Sequence, residues 1–218
     1  MYGEILRYMG HPVPPEGDAG VRLNELISSS LIKLSAASVP RHVKAKFSCT
    51  LTGDKVTIGV FNTKSRDLAV RLKNCKEAFL FAASLGADVD RLISQSSVTG
   101  TAEALCLQAC AAAEIENYCN GIECEIAHSL RNKSMYPVLR FSPGYGDFDI
   151  GCQSLILDIL KAQKYIGLTV TEKHILAPLK SVTAVIGISA VPDLNIRDNC
   201  KNCAKENCTF RQKRFIYD

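Results

Sequence analysis

No apolar run in this chain approaches the roughly 18 residues that a membrane-spanning helix needs, so no membrane span is expected. The opening residues Met1, Tyr2, Gly3 and Glu4 show no basic stretch leading into an apolar one. No secretory signal is read there, and a cytoplasmic location is the expectation. No basic stripe interleaved with aromatics is present, and the net charge is only +4. Much of that excess sits at the end, where residues 197–218 hold six Lys or Arg against three Asp or Glu. Nucleic acid is therefore not an expected partner. There is no G-x-G-x-x-G turn between a strand and a helix, which leaves the usual dinucleotide or methyltransferase-type nucleoside pocket unsupported. No internal repeat, low-complexity segment or obvious nucleophile–base pair is found.

What the chain does have is 218 residues, 47% hydrophobic and 22% charged, which suffices to bury a substantial core. Ten cysteines are too many to ignore, but a chain of this length and apolar content needs no disulfide framework. Six of the first seven fall in segments that read as helix or strand, where a thiol behaves as a small hydrophobe.

Leu23, Leu26, Ile27, Leu31 and Leu34 recur at helical spacing over residues 21–36, and Pro40 ends that segment. Residues 42–60 read as a hairpin turning at Thr52, Gly53 and Asp54. Ser65 caps a short helix through Leu72, residues 78–83 form a strand apolar on both faces, and a helix follows over residues 88–94. Residues 101–127 are the longest helical stretch, residues 132–137 a loop, and residues 150–165 a further helix. Residues 168–171 and 181–189 are strand-like, the latter rich in Val and Ile. Strands and helices mix without strict alternation. The prediction is an α+β domain over residues 1–192, with a twisted, mainly antiparallel sheet flanked by helices, and a separate tail over residues 193–218.

Two places carry chemistry. On the long helix, Leu105, Ala109, Ala112, Cys119, Ile122 and Ile126 share a face, and Glu116 falls in the same row. An ionised carboxylate there needs a cation, supplied by a nearby Arg or Lys or by a cationic ligand, unless the helix is rotated so that Glu116 sits at the edge of the row. Further on, Arg140, Phe141, Ser142, Pro143, Gly144, Tyr145, Gly146 and Asp147 make a turn between a short apolar strand and a helix. Pro143 fixes φ, while Gly144 and Gly146 permit positive φ and close approach to backbone. Arg140 offers a fork suited to a carboxylate, Tyr145 a ring and a hydroxyl, and the backbone near Ser142 suits a purine edge. A plain tight turn with an exposed arginine is the competing reading.

The run from Arg140 to Tyr145 resembles the R-x-x-P-G-Y signature of the activation domain of cobalamin-dependent methionine synthase. Leu168, Thr169, Val170, Thr171 and Glu172, then Pro178, Leu179, Lys180, Ser181 and Val182, resemble that family's L-T-E segment and P-x-x-S-V strand at similar spacing. Glu4 to Tyr8 and Ala78 to Ile93 resemble free-standing bacterial relatives, so the likeness covers about residues 4–190. It implies that Arg140 holds the carboxylate of S-adenosylmethionine, that Ser142, Pro143, Gly144 and Tyr145 contact the adenosine, and that Glu116 faces the cationic part of the ligand. It further implies support for reductive methylation of cob(II)alamin. Since this chain shows no cobalamin-binding module, the corrinoid would be carried by a separate methionine synthase or other corrinoid protein, with a flavodoxin-like electron donor compatible. The chain departs from the family after Tyr145: Gly146, Asp147, Phe148, Asp149 and Ile150 stand where a proline and a histidine-containing stretch are usual. The family's early aspartate and late tyrosine have no secure match.

Cys200, Cys203 and Cys208 form C-x2-C-x4-C in the tail. Three thiolates suit zinc or an iron–sulfur cluster if a fourth ligand such as Cys152 or Cys75 joins them; otherwise they are reduced cytosolic thiols. Two other functions stay open on these grounds: an iron–sulfur redox accessory for corrinoid activation, and a non-catalytic S-adenosylmethionine-binding scaffold.

Overall fold

The computed structural model describes residues 1–10 and 13–191. The chain opens with helices α1 (Tyr2–Tyr8) and α2 (Gly17–Ala37). Strands β1 (Arg41–Thr52), β2 (Lys55–Ile58) and β3 (Phe61–Lys64) follow, then α3 (Arg66–Arg71), β4 (Cys75–Ser84), α4 (Ala87–Thr99) and the long α5 (Thr101–Leu130). After a 3-10 turn come β5 (Tyr136–Pro137), α6 (Cys152–Leu160), α7 (Ala162–Ile166), β6 (Thr169–Val170), β7 (Leu176–Ala177) and β8 (Ser181–Ser189). The main sheet has six strands in the order β3-β2-β1-β4-β8-β5, every pair antiparallel, and β6 and β7 form a separate hairpin. The α+β expectation with a mainly antiparallel sheet is met.

The apolar run in β4 is explained by helices on both faces of the sheet. Phe81 and Ala83 enter the core beneath α1, α2, α4 and α5, while Ala78, Leu80 and Ala82 enter the opposite core beneath α3, α6 and α7. In β8, Ala184, Ile186 and Ile188 face the first core and Val185 the second. An antiparallel strand covered on one side would alternate; these two central strands cannot. β1, on the other side of β4, does alternate, with Val43, Ala45, Phe47 and Cys49 toward the second core and His42, Lys44, Lys46 and Ser48 on the other face.

Several local readings need correction. The helix expected over residues 150–165 is two helices, because Lys161 takes a left-handed φ of 51° and breaks the chain between α6 and α7. The hairpin over residues 42–60 extends to a third strand: Gly59, at φ 57°, turns the chain back into β3. The loop over residues 132–137 ends in β5, which pairs with β8. Ser65 does cap α3, its side chain accepting from Leu68 N–H at 3.0 Å.

Along α5 the first half is buried nearly all round, at Cys106, Leu107, Ala109, Cys110, Ala111, Ala113 and Ile115, since α2 and α4 pack on it. Its second half buries one row, Cys119, Ile122, Ile126 and Leu130. Leu105, expected in that row, is 53% exposed, because the buried stripe near the start of α5 is phased on Cys106 and Ala109. Five of the seven described cysteines are buried and Cys124 is exposed. Burial pushes the Cys119 thiol up to about 12, with the Arg140 guanidinium opposing the shift. Among the seven, Cys124 is expected to react first with an alkylating reagent at neutral pH, as mass mapping of a partial labelling series would read. Earlier modification of Cys119 would contradict the packing described.

Candidate functional site

The turn grows out of the free edge of the sheet. Val138 N–H donates to Gly187 O at 2.8 Å, and Phe141 and Val185 exchange two backbone bonds of 2.9 Å, so residues 138–141 run beside β8. Arg140, between them, points the other way from Phe141 and meets α5. Its Nη1 donates to Glu123 at 2.7 Å and to Asn120 at 2.8 Å, its Nη2 pairs with Glu116, and its backbone N–H donates to Glu123 at 3.0 Å. The three α5 residues lie at i, i+4 and i+7 and so share one helix face.

The cation that Glu116 requires is thus Arg140, and the two residues singled out in separate parts of the chain are brought into contact. Glu116 sits at the rim, its side chain 41% exposed, while Glu123 is 16% and Arg140 12% exposed. Burial acts to lower the Arg140 pKa, but Glu123 and Glu116 more than reverse this and hold it above its ordinary value. Burial pushes the Glu123 carboxyl up, although the guanidinium beside it pulls the other way. The guanidinium is the group that gains from the cluster; Glu123 is the one that bears the desolvation. With two carboxylates on one arginine, the ionised cluster carries a net negative charge.

Glu123 and Asn120 escaped the sequence reading. Only the i, i+4, i+7 spacing of Glu116, Asn120 and Glu123 signalled them, and that spacing is common on solvated helix faces.

Beyond Arg140 the chain folds sharply. Gly144, at φ 91°, donates its N–H to Phe148 O at 2.7 Å, and Tyr145 N–H reaches Ser142 O at 3.3 Å. A Cβ on Gly144 would stand 2.7 Å from Ile150 Cδ1, which together with the positive φ favours glycine there. Ser142 is half-buried, and its amide and hydroxyl bond to none of the described residues; Pro143 is buried and Tyr145 is 65% exposed. Beneath the turn, Phe148 stacks on Phe141 with centroids 6.0 Å apart and meets Phe61 edge-on, while Arg71 lies 4.5 Å over the Phe141 ring.

Asp147, one of the residues that depart from the family pattern, holds the turn to α3. Its carboxylate accepts from Ser65 Oγ at 2.5 Å, Arg66 N–H at 2.8 Å and Asp67 N–H at 3.1 Å. Asp67 in return accepts the Asp147 N–H at 3.3 Å. The Ser65 hydroxyl, then the two amides, hold the Asp147 carboxyl below its usual range. A carboxyl with a depressed folded-state pKa contributes stability above its unfolded pKa, and that contribution is lost as pH falls through the folded one. Asp147→Asn is therefore expected to cost about 1 kcal/mol or less of folding stability at neutral pH, as for an exposed cap, read as a lower melting temperature. The gap to wild type should close in acid, below about pH 4. A gap independent of pH would contradict the charged role.

Two surface concavities, of about 480 and 570 Å3, lie elsewhere, at α6–α7 and beside the β1–β2 turn. A ligand at Arg140 would lie along an open sheet edge. Among the described residues no helix is long and apolar enough to cross a membrane, and no group of three or more His, Cys, Asp or Glu is placed to hold a metal. Cys200, Cys203 and Cys208 lie outside the described residues.

The six-stranded antiparallel sheet with helices on both faces matches the fold of a solved reactivation domain. A solved structure, the crystal structure of the MetH reactivation domain bound to AdoHcy, is similar over 82% of this chain and 69% of that chain, with a TM-score of 0.62 and 18% identity. No protein-family model and no curated protein matches the sequence.

Proposed function

We propose that this protein binds S-adenosylmethionine along the edge formed by Arg140, Ser142, Pro143, Gly144, Tyr145 and Glu116. In that reading it supports reductive methylation of cob(II)alamin on a separate methionine synthase or other corrinoid protein, with a flavodoxin-like donor supplying the electron. The observation that carries the reading is the guanidinium of Arg140 fixed between α5 carboxylates beside a turn whose Ser142 amide and hydroxyl are unengaged among the described residues. AdoHcy in the neighbouring structure is the demethylated form of the proposed ligand, which supports the class of compound.

The residues fit such a ligand. Arg140 keeps its Nε–H without a described partner, so a carboxylate can lie against the Nε/Nη2 edge. In this reading Glu116, at the rim, takes an ammonium or sulfonium, the Ser142 amide a ring nitrogen, and the Tyr145 ring stacks on the base. When bound, S-adenosylmethionine supplies an electrophilic methyl group to the partner's reduced cobalt. The task of these residues is to hold and orient, which needs no acid–base pair. An open edge suits presentation to a large partner.

Calorimetric titration of the full chain with S-adenosylmethionine tests the site, and recovery of activity by an oxidised corrinoid partner under reducing conditions tests the role. Absence of binding at millimolar ligand would sink the reading. Binding without reactivation of any corrinoid partner would point to a scaffold instead.

A further inference from the structure

The two carboxylates on Arg140 are not equivalent. Glu123 is nearly buried and grips the arginine twice, one oxygen on the backbone N–H at 3.0 Å and the other on Nη1 at 2.7 Å. Glu116 is half-exposed and takes a single donor from Nη2. Asn120 fills the remaining Nη1 site at 2.8 Å. A guanidinium has five N–H donors, so Nε–H and one Nη2 hydrogen have no partner among the described residues.

We propose that Glu123 is a positioning residue that keeps the guanidinium fixed while the amino-acid head of the ligand inserts into the Arg140–Glu116 pair. The inference rests on the function proposed above and deepens it. The ligand carboxylate takes the Nε/Nη2 edge, and the Glu116 carboxylate released from Nη2 takes the ligand ammonium. Each charge that loses a partner gains one, so no buried ion is stranded during exchange. The asymmetry of the pair makes this workable: the exposed, singly bonded carboxylate leaves, and the buried, doubly bonded one stays. Without Glu123, Arg140 would follow Glu116, and the fork would no longer be aimed when the ligand arrives.

Such a role separates from a merely structural one by its effect on discrimination. S-adenosylmethionine and its decarboxylated analogue differ only in the group that Arg140 is proposed to receive. In Glu123→Gln the affinity for S-adenosylmethionine is expected to fall by about tenfold or more, and that for the decarboxylated analogue by less than about threefold, so their ratio drops. Equal losses for both ligands, or an unchanged ratio, would overturn the assignment. Should Glu123→Gln not fold, Glu123→Asp, one methylene short of reaching both donors, reads the same ratio with the same two outcomes. Wild-type protein that binds neither compound overturns the proposed function itself. Wild-type binding with an unaltered ratio in the variants overturns only the role of Glu123.

Discussion

Arg140→Ala is expected to weaken S-adenosylmethionine binding by about 2 kcal/mol or more, the usual loss for a charge-assisted pair, read by calorimetry against wild type. The substitution does two things that must be separated. It removes the fork that would receive the ligand carboxylate, and it leaves Glu116 and Glu123 without their cation. Glu123 is mostly buried, so stranding it is costly, of the order of 3 kcal/mol in folding stability. Protonation relieves part of that cost, because burial already favours the neutral form of Glu123. A carboxyl whose folded pKa is raised binds its proton more tightly folded than unfolded, so its contribution to stability falls as pH rises through that window. The Arg140→Ala variant should therefore be least stable, relative to wild type, at neutral and higher pH. Arg140→Lys keeps a cation but not the bidentate edge, and should restore more of the stability than of the affinity. Unchanged affinity in Arg140→Ala would remove the turn from the site.

Phe148→Ala is expected to destabilise the fold by about 3–5 kcal/mol, as measured by denaturant unfolding. Phe148 is fully buried between Phe61 of β3 and Phe141 of the edge segment, and its carbonyl receives Gly144 N–H. Removing the ring opens a cavity directly beneath the turn, and a packed interior closes only part of such a void. The turn has few other anchors: the Phe141–Val185 bonds on one side and the Asp147–Ser65 clasp on the other. Ligand affinity should fall along with stability, whereas a void of similar size in the opposite core, as in Leu34→Ala beneath α2, should cost stability with little effect on affinity. A Phe148→Ala protein as stable as wild type would contradict the aromatic stack.

Much of this was legible from residue types alone. The double-sided burial of β4 showed in the apolar run at residues 78–83, and Ser65 announced the start of α3 as a short polar side chain able to accept from the first turn. Glu116 stood out as a carboxylate in an apolar row that would need a cation; it does meet one, but from the rim, in a polar row with Asn120 and Glu123 beside the buried Cys119, Ile122 and Ile126. Its partner was not legible, since Arg140 lies 24 positions away and comes near only because the edge segment runs beside β8 under α5. Glu123 and Asn120 were hidden for the same reason. Lys161 gave no warning of its break, because a lysine carries no preference for the left-handed region it adopts.

The sequence by itself determined the layers: periodicity of 2 and of about 3.6 follows from local backbone geometry and from which faces must leave water. It also determined a turn that glycine and proline make at Pro143 and Gly144, because those residues restrict or free φ wherever they stand. Only the tertiary structure decided that Arg140 answers Glu116, that Glu123 is its second and more buried partner, and that Asp147 clasps the turn to α3. Those contacts join segments tens of residues apart, and which charges meet depends on strand register and helix phase, where an error of one residue moves a side chain to another face.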